Sequence, residues 1–394
     1  MIRLVLRVSC LFVGVALARA LQDDLAKIKT AVEENLSRLP NYTCTESIEQ
    51  AERVVMDGKS KVTRLEKTRM EVAFVEGKEL FGWPGAAKID QSDVAKMIKG
   101  SIGNGYFGLF SKTIFQVPST TFQYVDATEL EGKPAVHYDY RVPQITGAYL
   151  IKTGVGNAAV GFHGSFWVNP TTLDLIRITV LADEIPPVLG IASTSSILDF
   201  ERQRIGSSAF VLPRGAELVV TDSDRAGREV RLSFAGCHQF VGESALKFDD
   251  PPAEPLAPQV SGPIQYVVLP DNFKVDFNLD TAIDWSSSAS GDPVHGTLRE
   301  AVRVNGEIVA PNGAGLSGRI AHLAMRDDSY SVELHLTSLD FAGGQADLTG
   351  RQNMVVVNGV PLIYRSAKFK LRSGVRLTLH SRLLKSLHND PIRP

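Results

Sequence analysis

The residue types in this chain that could do chemistry are glycine clusters, histidines, paired acids and a few cysteines, and their spacing decides what they can do. Gly313-Ala314-Gly315-Leu316-Ser317-Gly318 spells G-x-G-x-x-G, with Asp340 downstream where a ribose-binding acid would stand. A dinucleotide site needs a helix directly after those glycines, because the helix N-terminus receives the pyrophosphate. Ser331 to Leu336 alternates as a strand instead, so a hairpin turn is expected and no cofactor is implied. Gly154-Val155-Gly156 and Gly161 match no phosphate-loop spacing and read as a flexible loop. The eight histidines stand singly, without the H-E-x-x-H pair of a zinc protease, and no metal site is expected. His163-Gly164-Ser165 sets a base beside a hydroxyl, but read as strand neighbours the two face opposite ways, and no G-x-S-x-G elbow is present. Asp183-Glu184 and Asp222 with Asp224 lack the convergent partners of a glycosidase or calcium site and read as solvated turns. No set converges on catalysis, so the protein is expected to be non-enzymatic.

The first twenty residues carry Arg3 and Arg7, an apolar stretch from Val8 to Leu17, and Ala18-Arg19-Ala20, the layout of a secretory signal peptide. The stretch is shorter than the roughly 20 residues that cross a bilayer. Cys10 lies inside it rather than after it, which argues against a lipid anchor. The expected location is therefore the periplasm or the outer-membrane periphery. Removal of the leader leaves Cys44 and Cys237, which an oxidising compartment tends to pair, two buried free thiols being the other reading. It also leaves a net charge of about −5, which argues against general nucleic-acid binding.

These residues need elements to hold them. Leu21, Leu25, Ile28, Val32, Leu36 and Leu39 recur at helical steps with charges between them, and Pro40 stops the run. A second helical stretch is expected from Ser92 to Lys99, and Gly100 to Phe110 reads as a glycine- and aromatic-rich loop. Strands with alternating polar and apolar residues follow from Asn41 to about Phe248, which predicts antiparallel sheet with one wet face. Asp249 to Pro263 holds five prolines and reads as a stiff linker. Beyond it, short strands are broken by Asn305-Gly306 and Asn358-Gly359 turns. The expected class is mainly β: a leader at 1–20, an α+β curved antiparallel half-barrel with an N-terminal helix at 21–248, a linker at 249–263, and a small β-barrel or sandwich at 264–394. From Arg365 to Lys385 seven cations stand without an acid, a stripe suited to peripheral contact with an anionic membrane or to the wet face of two strands.

Phe166-Trp167-Val168-Asn169-Pro170-Thr171-Thr172 matches the "WV-x-P-x-T" hairpin of the outer-membrane lipoprotein carrier (LolA/LolB-like) superfamily, which residues 21–248 resemble. Leu39 to Cys44 ("LPNYTC") and Phe234 to Phe240 ("F-x-x-C-x-Q-F") are similar to segments of soil-bacterial envelope proteins. The carrier resemblance implies a half-barrel whose concave apolar face holds an apolar or lipid ligand. Phe74, Phe81, Trp83, Phe122, Tyr124, Phe166 and Trp167 are the residues that could line it, ordinary sheet core being the other reading. Residues 264–394 resemble, more faintly, the β-barrel domain of TrbI-like secretion proteins. The resembling text is Ile283-Asp284-Trp285-Ser286, Gly291-Asp292-Pro293-Val294-His295-Gly296 and Pro311 to Arg319. That resemblance implies a scaffold that docks an envelope protein partner.

Overall fold

The computed structural model describes residues 24–56, 58–75, 78–85, 109–146, 149–224, 226–240, 269, 272–327, 329–341, 344–348, 351–356, 362–364 and 370–383. The leader, the helix expected at Ser92–Lys99, the proline linker and the Asn358-Gly359 turn lie outside these residues. The chain is mainly β, in curved antiparallel sheet, and divides into two compact units. The first comprises residues up to 241 without 64–69 and 83–85; those two short segments belong to the second, with residues 242–394.

Helix α1 (residues 24–37) opens the first unit. Its strands are β1 (Tyr42–Met56), β2 (Lys59–Val75), β3 (Lys78–Gly82), β4 (Thr121–Leu130), β5 (Lys133–Val142), β6 (Tyr149–Thr153), β7 (Gly156–Val160), β8 (Phe162–Val168), β9 (Leu175–Ala182), β10 (Ile191–Ile205), β11 (Ser208–Asp222) and β12 (Gly227–Gln239), with helix α2 (Leu109–Gln116) before β4. The main sheet runs β3-β2-β1-β12-β11-β10-β9-β8-β5-β4, while β6 and β7 form their own hairpin. Period-2 burial shows which face is inward: Tyr42, Cys44, Glu46 and Ile48 of β1 are buried, as are Phe162, Gly164, Phe166 and Val168 of β8. Ile28 and Val32 of α1, and Phe110, Ile114 and Phe115 of α2, join the same core. The 3.6-residue spacing of the α1 apolar positions is what turns that face to the sheet.

Two elements differ from the sequence expectation. Helix α2 begins inside the segment read as a loop; its Phe110 and Ile114 are one helical turn apart, a signal too short to separate from a buried strand. Gly154-Val155-Gly156 is no flexible loop but the turn of the β6–β7 hairpin, in register from Tyr149–Val160 to Thr153–Gly156.

The N-terminal strands join the rest of the sheet through β1 and β12, paired from Tyr42–Gln239 to Arg53–Gly227 with an irregularity between Thr43 and Thr45. At that irregularity Cys44 and Cys237 are disulfide-bonded, with Cα atoms 4.1 Å apart across 193 residues of sequence. The β8–β9 ladder has no residue pair between His163–Leu181 and Phe166–Ile178, and there Gly164 lies so close to β9 that a Cβ would sit 1.9 Å from the Thr179 carbonyl oxygen. The freed groups are satisfied locally: the Tyr140 hydroxyl donates to that carbonyl at 2.7 Å, and the Ser165 amide donates to Thr179 Oγ1 at 2.9 Å.

The second unit holds β13 (Asn272–Leu279), β14 (Ile283–Asp284), β15 (Pro293–Leu298), β16 (Val302–Val304), β17 (Glu307–Ala310), β18 (Gly315–Arg326), β19 (Ser329–Phe341), β20 (Gly344–Asp347), β21 (Arg351–Val356), β22 (Leu362–Tyr364), β23 (Lys370–Leu371) and β24 (Val375–Leu383). The sheet order is β21-β24-β13-β15-β18-β19, and the far edge of β19 is shared by β20 and β22. Of the expected barrel or sandwich, no closed barrel forms: among the described residues β21 pairs with β24 and not with β19, so the ladder does not complete a ring. Residues 64–66 pair with 324–326 of β18, continuing the edge that β15 leaves at Arg319. The Lys67 ammonium reaches the Trp285 carbonyl at 3.0 Å and lies 4.9 Å from the ring centroid, and Arg69 pairs with Asp292 at 2.5 Å. Gly313 is at φ +84° in the turn before β18, so these glycines precede a strand and not a helix. Asn305-Gly306, both at positive φ, makes the β16–β17 hairpin turn.

Two outcomes follow. Replacing Cys44 and Cys237 together by alanine should lower the urea stability of the first unit by up to about 5 kcal/mol, the loop-closure value for so long a loop, and dithiothreitol should shift the parent the same way. Burial pushes the hydroxyls of Tyr138, Tyr140 and Tyr149 above the ordinary tyrosine value, Tyr140 furthest. The unfolded chain releases these protons first as pH rises past about 10. Stability is therefore held below that pH and falls above it. Absorbance titration at 295 nm should show Tyr138, Tyr140 and Tyr149 ionising late, and Tyr140→Phe should remove one of these late steps.

Candidate functional site

The first unit carries a cavity of about 190 Å³ between α1 and the sheet. Its floor is buried and mostly apolar: Val32 from α1, Leu175 from β9, Phe200 from β10, and Leu212 and Pro213 from β11, with the hydroxyl residue Ser111 of α2 also buried there. Its rim is exposed and charged, with Glu34 on α1, Arg38 in the turn just after it, Thr172 in the β8–β9 turn and Arg202 on β10.

Three local devices shape this cavity. Asn35 fastens the helix: its Nδ2 donates to the Val211 carbonyl at 2.9 Å, and its Oδ1 accepts from the Val211 amide at 2.9 Å. Those groups are available because β11 pairs with β12 from Gly215 onward, leaving that edge of β11 without a strand at Val211. The β8–β9 turn supplies the second device. Asn169 Oδ1 accepts from the amides of Thr171 and Thr172 at 2.8 and 3.0 Å, and the Leu173 amide donates to the Asn169 carbonyl at 2.9 Å. This holds Leu173 at φ +59°, a left-handed conformation costly for a branched side chain, and places it in the cavity wall. The third is the Arg202–Asp174 pair, whose Nε–Oδ2 bond is 2.9 Å; the bond to Asp174 holds the Arg202 guanidinium above its ordinary value. With Glu34 beside Arg38, the rim carries two cations and two anions.

The aromatic residues singled out in the sequence stand elsewhere. Phe166 packs against Phe115 at 5.1 Å, Tyr138 at 5.2 Å and Phe122 at 6.0 Å between centroids, and Tyr124 meets Tyr138 at 5.6 Å. Phe74 lies against Tyr42 at 5.5 Å, and Phe81 packs on the same core. Lys29 Nζ sits 4.2 Å over Phe122, and its burial there draws its value below the usual ammonium range despite Glu33. Trp167 is on the opposite face of β8 from Phe166, stacked on His137 at 4.4 Å. Trp83 is in the second unit, under Arg319 at 4.6 Å. None of the seven lines the cavity. Its lining comes from α1, from Ser111 of α2 and from strands β9, β10 and β11; the one sequence signal was the Asn169-Pro170-Thr171-Thr172 turn, which sets Leu173 and Asp174.

The remaining candidates are also placed. His163 and Ser165 are two residues apart and share the outer face of β8, contrary to the expectation of opposite faces. Each is engaged elsewhere: His163 Nδ1 lies 2.6 Å from Asp183, and Ser165 Oγ donates to Asp139 at 2.7 Å. Asp183 is thus no solvated turn residue, since Arg141 also lies 3.3 Å from it. Asp222 meets Arg228 at 3.2 Å, and Asp224 accepts the Ala226 amide within its own turn. Of the basic stripe, Arg372 is exposed, while Arg376 is bound by Asp276, whose carboxyl is held low by Thr378 and Arg376.

Fold and site together define a mainly β half-barrel with a helix fastened over an open, apolar-floored cavity. No protein-family model and no curated protein sequence matches the chain. Among solved structures, 58% of the chain aligns with 96% of a DUF1329 family protein from Desulfovibrio piger, at TM-score 0.31 and 11% identity. A LolA superfamily protein from Nitrosomonas europaea aligns over 93% of its length with 55% of this chain, at TM-score 0.25 and 8% identity. Neither of these two bears on the TrbI-like resemblance of the C-terminal residues.

Asn35→Ala should remove both bonds to Val211 and cost about 1–3 kcal/mol in denaturant unfolding, since it strands a half-buried amide and carbonyl. Asn35→Asp keeps the acceptor and loses the donor, and should fall between alanine and the parent.

Proposed function

We propose that this is a non-enzymatic, exported cell-envelope protein that binds an apolar or lipid-like ligand in the cavity under α1. The observation that carries the reading is the cavity itself: apolar side chains at its floor beneath a charged rim, with polar groups supplying the larger part of its accessible lining, an arrangement that suits a short apolar segment with a polar end. The signal-peptide layout of residues 1–20 and the disulfide support export to an oxidising compartment. The strained Leu173 in the wall is consistent with a site held open at a cost to stability.

The test is titration of residues 21–394 with 11-(dansylamino)undecanoic acid, followed by dansyl fluorescence. The parent should give saturable enhancement. Ala31→Phe, which fills the cavity from α1, should weaken binding at least tenfold, while Phe122→Ala should leave affinity within about twofold. Binding lost in Phe122→Ala and kept in Ala31→Phe would move the ligand to the aromatic cluster, and absence of saturable binding by the parent would defeat the proposal.

A further inference from the structure

The three most exposed large apolar side chains among the described residues are Ile145, Val188 and Val155, at 96%, 76% and 74%. They are distant in sequence but belong to one region of the first unit. Val155 is at the tip of the β6–β7 hairpin, and the adjacent Gly156 lies against Leu189, next to Val188, with its Cβ position 3.8 Å from Leu189 Cδ2. Ile145 follows Gln144, whose side-chain amide donates to the Ala159 carbonyl at 2.6 Å, and Ala159 is paired with Leu150, itself 50% exposed. The four side chains therefore follow the length of one hairpin, roughly 13 Å at the usual strand rise. Single exposed aliphatics are ordinary on a protein surface. The convergence of the most exposed ones is not.

The segments that carry them are also uncharged. Residues 143–146, 153–156 and 185–192 hold no Asp, Glu, Lys or Arg, in a chain that is 22% charged. Charge borders them: Lys152 is exposed on the same face of β6 as Leu150, Glu184 and Asp224 are exposed beside the turn that carries Val188, and Arg141 and Asp183 are paired at the base of the hairpin. The tips are held in place by backbone. Leu189 and Gly190 donate to Pro186 and Pro187 at 3.0 Å, the Ser223 amide donates to the Gly190 carbonyl at 2.9 Å, and Ser119 and Thr146 share a hydroxyl hydrogen bond.

We infer that this end of the first unit inserts Ile145, Val155 and Val188 into the surface of a lipid bilayer. Aliphatic side chains standing exposed on separate turns suit the acyl region of a bilayer, which conforms to them. Four aliphatic side chains also supply only a fraction of the roughly 800 Å² per partner that a stable dimer buries. The uncharged tips match the uncharged acyl layer, and the surrounding Lys152, Arg141, Asp183, Glu184 and Asp224 fall where headgroups carry both signs. The surface shares no residue with the cavity under α1, so it stands or falls independently of ligand binding there.

The experiment is flotation of residues 21–394 with vesicles of phosphatidylethanolamine and phosphatidylglycerol at 3:1. The parent should float, and the variant combining Ile145→Ser, Val155→Ser and Val188→Ser should partition at least tenfold less with an unchanged circular dichroism spectrum. The Val155→Trp variant should show blue-shifted emission on vesicle addition and quenching by brominated acyl chains. A parent that stays at the bottom, a triple variant that floats equally, or emission at that position untouched by brominated lipid would overturn the inference. So would a lipid-free parent that sediments as a dimer while the triple variant is a monomer, which would assign the patch to a second copy.

Discussion

The pairing of β1 with β12 is the constraint on which the first unit depends. Strands β4 to β12 could form a meander by short connections, and among the described residues β1, β2 and β3 join the hydrogen-bonded sheet of that meander through this ladder. It closes a loop of 193 residues, so its backbone bonds must offset a large loss of chain freedom. The Cys44–Cys237 bond limits the unfolded chain at that place. Because β1 directly follows α1, the same pairing brings the helix to the sheet, where Asn35 can reach Val211.

What α1 covers is decided by the polar groups the sheet leaves unpaired. β12 does not extend along β11 as far as Val211, so that amide and carbonyl need partners, and a helix carrying asparagine at the right turn supplies both. Such fastening adds one polar tie to the packing of Ile28 and Val32 against the sheet. Next to it a cavity remains, bounded by the left-handed Leu173 and the Arg202–Asp174 pair. Under α2 the inner face is different: Phe115, Phe122, Tyr138 and Phe166 meet ring to ring and fill the space. One concave face thus carries a packed half and an open half.

The second unit shows the same dependence on remote chain. Residues 64–69, part of a strand that begins and ends in the first unit, complete the β18 edge and bring Lys67 to Trp285 and Arg69 to Asp292. Nothing in the periodicity of that strand marks six of its residues as belonging to another core. The short-range signals of this unit, by contrast, were legible. Asn305-Gly306 makes its hairpin because both positions need positive φ, and the glycines from Gly313 to Gly318 enter a strand, as the alternation after them required.

By itself the sequence determined the features written in local spacing. These are the buried stripe of α1, the alternation of the strands, the tight turns, and the presence of two cysteines beyond the first twenty residues. Period 2 and period 3.6 state which side of an element is apolar, and that is a local property. Tertiary structure alone decided which apolar residues fill space and which border it. Phe166 and Trp167 are neighbours in sequence and face opposite sides of β8, so a list of aromatics could not define a site. The cavity depends on where β12 stops along β11, on Asn35 meeting Val211 across 176 positions, and on a turn that forces Leu173 left-handed. These are distances between elements far apart in the chain, and no local pattern encodes them.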